Sequence, residues 1–298
     1  MPSLALVARL PSHPLIFGVL NNSAHAPVFG AFAVVVLVLL RRHSSLPASA
    51  ACLVAFLIAL AAGGAIELIQ PQLGRAAEWR DLRSDALGAL AGLAIYAAFS
   101  VSAAWRRWLA IAVAIAAAVP IVWPVAQASQ AYLVRLRKFP VIVQDLEPAD
   151  RYFIHLRSAD AVAEALPVAW ARDGDPPSLR VRIAGGSWPG IDHVEPQPDW
   201  SGYSLLKLDL TNPDDLPLAL TLRVHDGLHD NRAADRFNRS FELAPHSRAV
   251  LAVPLREIAE APDGRMLDLS SVAGLLLFAS GNPADVGREF YVTRIWLE

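Results

Sequence analysis

The hydrophobic positions of this chain form long runs in its first half and short alternating segments in its second half. The long runs predict four membrane-spanning helices, at about residues 24–40, 48–70, 81–104 and 109–126. Each run has the length of about 17–25 residues that a helix needs to cross a bilayer. We therefore predict an all-α bundle of four transmembrane helices over residues 24–126, preceded by an N-terminal tail of residues 1–23.

After residue 138 the period of the hydrophobic positions changes to two residues. Leu179, Val181 and Ile183 alternate with arginines, as in a strand that buries one face. Similar segments recur at 206–210, 218–224 and 250–252, and the segments 275–278 and 290–292 add a more continuous apolar pair. Turn-forming residues separate them, and many short punctuated strands are typical of an antiparallel sandwich. We predict an all-β jelly-roll sandwich over residues 139–298, joined to the helices by a linker at 127–138.

Composition and charge exclude several classes of protein. Of the 298 residues, 54% are hydrophobic and 18% are charged, which is too apolar for an ordinary soluble protein. The formal net charge of -2 gives no positive surface for nucleic acid. A single cysteine, Cys52, excludes a disulfide framework and a cysteine metal site. No sequence motif for a cofactor or a zinc ion is present, and we predict neither a cofactor nor a metal.

Six polar residues lie where the first three predicted helices reach one membrane face. They precede the first helix, end the second, occupy the following loop and start the third: His25, Glu67, Gln70, Arg75, Asp81 and Asp85. Four spans bring these positions to the same side, so we expect one polar cluster. Beneath the acids, Gly63, Gly64 and the pair Gly88 and Gly92 are small residues that let helices pack closely.

Two interpretations of this cluster remain open. In a catalytic site, Arg75 would hold an anionic group such as the phosphate of a lipid carrier. Glu67 or Asp81 would then act as general base or acid, and His25 would shuttle a proton. Ionisable groups near hydrocarbon favour such a role. Alternatively, the same residues form a structural salt-bridge network between the second and third helices.

The order of these residues resembles the VanZ-like family of small membrane proteins. The resemblance covers about residues 20–104 and rests on His25, Glu67-x-x-Gln70, Gly74-Arg75, Asp81 and Asp85-x-x-Gly88-x-x-x-Gly92. Two features depart from the family: Asp85 stands where the family usually has Asn, and its common first membrane helix is missing or truncated. The resemblance implies a link to cell-envelope stress and low-level glycopeptide antibiotic resistance, without a settled reaction.

The second half resembles the galactose-binding and carbohydrate-binding jelly rolls of envelope and polysaccharide proteins. The resemblance rests on Trp188-Pro189-Gly190, Asp199 to Tyr203, Arg223, His225-Asp226, His229 and Asp235 to Arg239. Trp188, Trp200 and Tyr203 could form a platform for sugar rings, because aromatic faces suit the apolar side of a pyranose. Tryptophans in a sandwich also serve as core anchors, and that alternative stays open.

A group of histidines and aspartates has two possible roles. It consists of His225, Asp226, His229, Asp230 and Asp235. Oxygen ligands of this kind suit calcium, although no spacing matches a known calcium loop. A hydrogen-bonded turn that closes the strands is the preferred interpretation, with Arg236 and Asn238 in the same role.

The position of the sandwich relative to the membrane decides between functional hypotheses. The count of arginines and lysines favours a cytoplasmic cluster, whereas the resembling jelly rolls work outside the cytoplasm, and we expect the sandwich outside. The expected partners are membrane lipid and a lipid-linked glycan or polysaccharide, which an integral cell-envelope protein would bind or act on. The alternative is a non-catalytic, membrane-anchored carbohydrate-binding or structural envelope protein.

Overall fold

The computed structural model describes residues 14–73, 79–197 and 199–298. The chain divides into two compact units between Ser129 and Gln130. Helices form the first unit, and strands dominate the second. Gly74 and Arg75, which belong to the predicted polar cluster, lie outside the described residues.

Four described helices are long and apolar enough to cross a membrane, which confirms the predicted helical region. They are α1 (Leu15–His43), α2 (Ala48–Ile69), α3 (Trp79–Ser100) and α4 (Ala104–Lys138). Helix α1 begins within the predicted tail, because Pro14 takes the N-cap position and the apolar residues after it continue the helix. The predicted linker is also helical, since α4 runs through Pro120 and Pro124 and ends at Lys138.

Small residues hold the first three helices together. Helix α2 buries one residue in four: Ala51, Ala55, Ala59, Gly63 and Glu67. Helix α3 packs on α1, where a Cβ atom on Gly88 would collide with the backbone of Ala26 and one on Gly92 with that of Gly30. Only glycine allows backbones to approach this closely. The expected role of the glycines in helix packing is thus observed for Gly63, Gly88 and Gly92.

The outward faces of the helices carry large exposed apolar side chains. They include Val35, Leu53, Leu57, Leu68, Phe99, Val119 and Trp123. Contiguous apolar surface of this extent is unfavourable in water and is satisfied by hydrocarbon. At the start of α4, the Arg106 guanidinium lies 5.3 Å from the centre of the Trp105 ring, a combination typical of the membrane interface.

The second unit is an antiparallel β-sandwich, as predicted. Its described strands are β1 (Val141–Val143), β2 (Ile154–Arg157), β3 (Ala159–Glu164), β4 (Ser178–Ile183), β5 (Gly190–Val194), β6 (Leu205–Asn212), β7 (Leu218–Asp226), β8 (Phe237–Leu243), β9 (Ser247–Pro254), β10 (Val272–Ala279) and β11 (Glu289–Leu297). Sheet 1 has the order β3-β4-β11-β6-β9, with β1 also paired to β11, and sheet 2 has the order β2-β5-β10-β7-β8. Apart from β3–β4 and β7–β8, the described strands that pair are distant in sequence, as in a jelly roll.

One core lies between the two sheets. The alternating leucines of β6 and β7 are fully buried there with Trp200 and Phe290. In β10, Leu275, Leu277 and Ala279 belong to this core, so Leu276 and Phe278 point to the opposite face of sheet 2. That opposite face therefore combines apolar residues from β10 with the polar positions of the neighbouring strands.

Candidate functional site

The predicted polar cluster of the helical unit is buried where three helices meet. Nδ1 of His25 on α1 lies 3.2 Å from Oδ1 of Asp85 on α3. At the end of α2, Nε2 of Gln70 donates to Oε1 of Glu67 over 3.0 Å. The carboxylates of Asp81 and Glu67 are close enough to interact electrostatically with His25. The structure thus brings together His25, Glu67, Gln70, Asp81 and Asp85, while Arg75 lies outside the described residues.

Asp85 contacts all three helices of this cluster. Besides its contact with His25, its Oδ2 lies against Gly63 of α2, where a Cβ atom would come within 2.6 Å of it. The side chain is only 2% exposed. A carboxylate buried at such a joint costs free energy unless it is paired. Its position fits both a structural connection between helices and an acid held ready for chemistry.

An apolar groove of about 540 Å³ ends at this cluster. It is lined by Ala61, Gly64, Ala65, Glu67, Leu68, Trp79 and Leu82. Glu67 is the acidic residue among these apolar neighbours. The groove therefore has the chemistry to accept a hydrocarbon chain whose polar end meets a carboxylate.

The three predicted sugar-binding aromatic residues have different positions in the sandwich. Trp200 is fully buried, and its Nε1 donates to the carbonyl oxygen of Gln197 over 2.6 Å. The Tyr203 ring packs edge-on against Phe139 at 5.4 Å between centres. Only Trp188 of the three is strongly exposed, at 50%. A shared platform is therefore not formed, because Trp200 anchors the core and offers no face to a ligand.

Trp188 is held in an unusual conformation at the edge of sheet 2. Its φ angle is +55°, which is strained for a bulky residue and occurs often at functional sites. Its ring lies 6.5 Å from that of Phe278. The Arg223 guanidinium lies 5.7 Å from the Trp188 ring and 4.9 Å from the Phe278 ring. Cation–π attraction therefore helps to orient both Trp188 and Arg223.

The outer side of sheet 2, which we call the open face, carries two rows of residues across all five strands. Cross-strand pairing aligns His155, Asp192, Leu276, Arg223 and Asn238 in the first row. The second row consists of Arg157, Gly190, Phe278, Thr221 and Ser240. Leu276 and Phe278 form an apolar centre that is only 6% and 5% exposed, with polar side chains on both sides. An exposed aromatic ring beside such a surface suits a ligand with both apolar and hydroxyl groups.

Polar contacts and charge further define the open face. Nε of Arg157 donates to Asp192 over 2.7 Å, and Nε of Arg223 donates to Asn238 over 2.9 Å. Burial lowers the pKa of Arg223, and the positive charges of Arg236 and Arg157 lower it further, while Asp192 opposes them. These arginines therefore lie within electrostatic range of one another.

Sequence reasoning missed most of this surface. His155, Arg157, Asp192 and Phe278 were not predicted as site residues, although they lie beside Trp188 and Arg223 on sheet 2. Alternation indicates which residues of one strand share a face. It does not indicate that β10 lies between β5 and β7, and the rows depend on that order.

The histidine and aspartate group forms a hydrogen-bonded turn after β7. The Arg265 guanidinium binds both carboxylate oxygens of Asp226, at 2.6 and 2.9 Å, and its Nε donates to Asp235 over 2.5 Å. The bond from Arg265 holds the pKa of Asp235 well below its usual range. His229, Asp230 and Asp235 are close enough to share a metal ion. Because Arg265 and the Asp230 backbone N–H already occupy the Asp235 oxygens, the arrangement fits a closing turn better.

No family model matches the chain, and no curated protein matches it. An exo-beta-agarase of known structure is 21% identical, with a TM-score of 0.40, over 53% of this chain and 24% of its own. A family 11 carbohydrate-binding module from Clostridium thermocellum, in complex with a beta-1,3-1,4-mixed-linked tetrasaccharide, is 14% identical, with a TM-score of 0.35, over 48% of this chain and 82% of its own. The CBM22-1 xylan-binding domain from Paenibacillus barcinonensis Xyn10C is 13% identical, with a TM-score of 0.33, over 52% and 89%.

These likenesses concern the fold alone. The chain spans about a quarter of the length of the agarase. Four helices suited to a membrane and an antiparallel β-sandwich describe this chain. The VanZ-like resemblance of the helical unit stays a hypothesis.

Proposed function

We propose that this protein is a membrane-anchored carbohydrate-binding protein whose sandwich holds a polysaccharide on the open face of sheet 2. The observation that carries the proposal is the Trp188 ring, half-exposed and held at a strained φ angle beside Arg223. Apolar ring faces suit the apolar side of a pyranose, and contacts with Phe278 and Arg223 hold this ring in place.

The open face can bind a chain of several sugars. Its rows cross five strands, and four intervals of about 4.8 Å give a width of about 19 Å. Trp188 would stack on one sugar ring, while His155 and Asn238, which are exposed in the first row, would hydrogen-bond hydroxyl groups. Flanking an apolar centre with polar groups fixes the orientation of such a ligand.

Replacing Trp188 tests this function directly. We expect Trp188→Ala to weaken polysaccharide binding by the intact protein about tenfold or more, because it removes a central aromatic contact. Trp296→Ala is the matched control, since Trp296 is a half-buried tryptophan of sheet 1. Binding is measured as the slower migration of the protein in a gel that contains polysaccharide. If the polysaccharide slows both variants as much as it slows the wild type, the open face is rejected as the site.

A second candidate function rests on the helical unit. The groove that ends at Glu67 supports the engagement of a lipid-linked glycan, with the hydrocarbon chain in the groove and the phosphate near the cluster. The proposed residues of this site are His25, Glu67, Gln70, Arg75, Asp81 and Asp85. On this hypothesis the unit is VanZ-like and contributes to the cell envelope and to glycopeptide resistance.

The catalytic version of this hypothesis predicts a specific phenotype. Glu67→Gln retains an oxygen that can accept the bond from Gln70 and removes the ionisable group. A catalytic site would lose its effect on glycopeptide susceptibility while the protein keeps its normal abundance in the membrane. Full function of Glu67→Gln at normal abundance would contradict catalysis by Glu67 and favour the structural network.

A further inference from the structure

The open face carries more positive than negative side chains. The cations and histidines on it and at its edge are His155, Arg157, Arg223, His225, His229 and Arg236. Asp192 is the acid among the described residues of the two rows. The nearby Asp226 and Asp235 are already paired with Arg265. Near Trp188 the guanidinium groups of Arg157, Arg223 and Arg236 therefore outnumber the one nearby carboxylate, that of Asp192.

Two arginines on this face form side-chain hydrogen bonds through Nε alone among the described residues. Nε of Arg223 donates to Asn238, and Nε of Arg157 donates to Asp192. Within the part of the chain that the structure describes, the terminal nitrogens of both guanidinium groups have no hydrogen-bond partner. Paired terminal N–H groups match the two oxygens of a carboxylate or sulfate group.

The arginines also repel one another. Arg236 and Arg157 both disfavour the charged form of Arg223, which is half-buried. Cation–π contacts hold the Arg223 guanidinium beside Trp188 and Phe278. An anionic group at this place would relieve the repulsion, whereas a neutral hydroxyl group would leave the charges uncompensated. The anion would lie next to a sugar stacked on Trp188.

We propose that the polysaccharide bound on the open face is acidic, and that Arg223 and Arg157 hold a carboxylate or sulfate group carried by its sugars. This inference rests on the proposed polysaccharide-binding function and adds the chemical class of the ligand. A neutral glycan would gain from Trp188 but would leave the paired donors of both arginines unused. Arg223 sets the preference for the anion, and Trp188 provides affinity for the ring.

The test compares polymers that differ in charge. The full chain in detergent is titrated with polygalacturonate and with its carboxyl-reduced form, and separately with dextran sulfate and with dextran. We expect the acidic member of at least one pair to bind about tenfold more tightly, the usual scale for a hydrogen bond to a charged group. A preference within the first pair identifies a carboxylate, and one within the second identifies a sulfate.

Variants connect the preference to the named arginines. The double variant Arg157→Gln with Arg223→Gln is expected to bind both members of a pair equally, because the acidic member loses about tenfold more affinity than the neutral member. Arg239→Gln is the control, because Arg239 on β8 is paired with Glu257 and aligned with core-facing Leu222. Arg239→Gln should keep the wild-type preference for the acidic member of each pair.

Each contrary outcome has a separate meaning. Equal wild-type affinity for both members of each pair overturns the acidic ligand and leaves polysaccharide binding intact. Binding of none of the four polymers overturns both proposals. Equally tight binding of polyglutamate overturns the acidic-sugar inference, because charge alone would then explain the affinity.

Discussion

His193 on β5 makes the stability of the sandwich depend on pH. Burial lowers the pKa of its imidazole to about 4, and the ring stacks on Phe153 at 6.1 Å. In the unfolded chain the pKa is about 6.5, so between pH 6.5 and 4 the unfolded state binds the proton first. Stability contributed by neutral His193 is therefore lost as the pH falls through this window. The total loss is about 3 kcal/mol.

Replacing His193 isolates this effect from the carboxylates of the protein. We expect His193→Gln to flatten the dependence of unfolding on pH between 4 and 6.5, measured in denaturant by the fluorescence of buried tryptophans such as Trp200. His155→Gln is the control, because His155 on β2 is exposed. The same pH dependence in wild type and His193→Gln would show that the imidazole is not the responsible group.

At the same scale, individual tryptophans could not be sorted by sequence. Trp188 and Trp200 both lie beside Pro, Gly or Ser residues typical of loops. The structure exposes the first and buries the second, because the chain around Trp200 turns inward and its indole N–H finds the Gln197 carbonyl. That difference arises from tertiary packing, which the local sequence does not contain.

Helix α3 depends on its glycines for contact with α1. A Cβ atom on Gly88 would overlap backbone atoms of Ala26, and backbone cannot move aside as a flexible side chain does. We expect Gly88→Ala to separate α1 from α3 and to cost about 1–3 kcal/mol, the usual range for overpacking. The separation would also weaken the contact between His25 and Asp85.

Thermal unfolding in detergent, followed by helical circular dichroism, measures this effect. Gly64→Ala is the matched control, because nothing lies within 4 Å of a Cβ atom at Gly64 and alanine favours the helix over glycine. Its melting temperature should equal or exceed that of the wild type. A Gly88→Ala variant that melts like Gly64→Ala would show that α1 and α3 do not depend on this close approach.

The period of the hydrophobic positions predicts whether an element is a helix or a strand. It predicts the first and last residues of the element less well. The four helices and the alternating strands correspond to the runs read from the sequence. The early start of α1 and the extension of α4 exceed the predicted spans, because both helices continue beyond their apolar runs through polar residues such as Asn21 and Gln127. Pro120 and Pro124 lie inside α4, as neighbouring groups in a membrane permit. The polar cluster was predictable because each member lies near a helix end.

For the whole molecule, the number of spans determines which segments share a side of the membrane. With four spans, the loop between α1 and α2 lies opposite the sandwich. We expect the sandwich outside the cytoplasm, although the arginine count favours the reverse. Val168→Cys reports on the sandwich, since Val168 is 94% exposed, and Ser45→Cys reports on the exposed loop between α1 and α2.

Labelling with a membrane-impermeant thiol reagent distinguishes the two orientations. In a Cys52→Ser background, we expect Cys at position 168 to react in intact cells and Cys at position 45 to react only after lysis. The reverse pattern would place the sandwich in the cytoplasm, where extracellular polysaccharide does not reach the open face. Three helices, α2, α3 and α4, lie between the two positions, so reaction of both before lysis would contradict an odd number of spans between them. The pair therefore tests the span count and the access of the open face to glycans together.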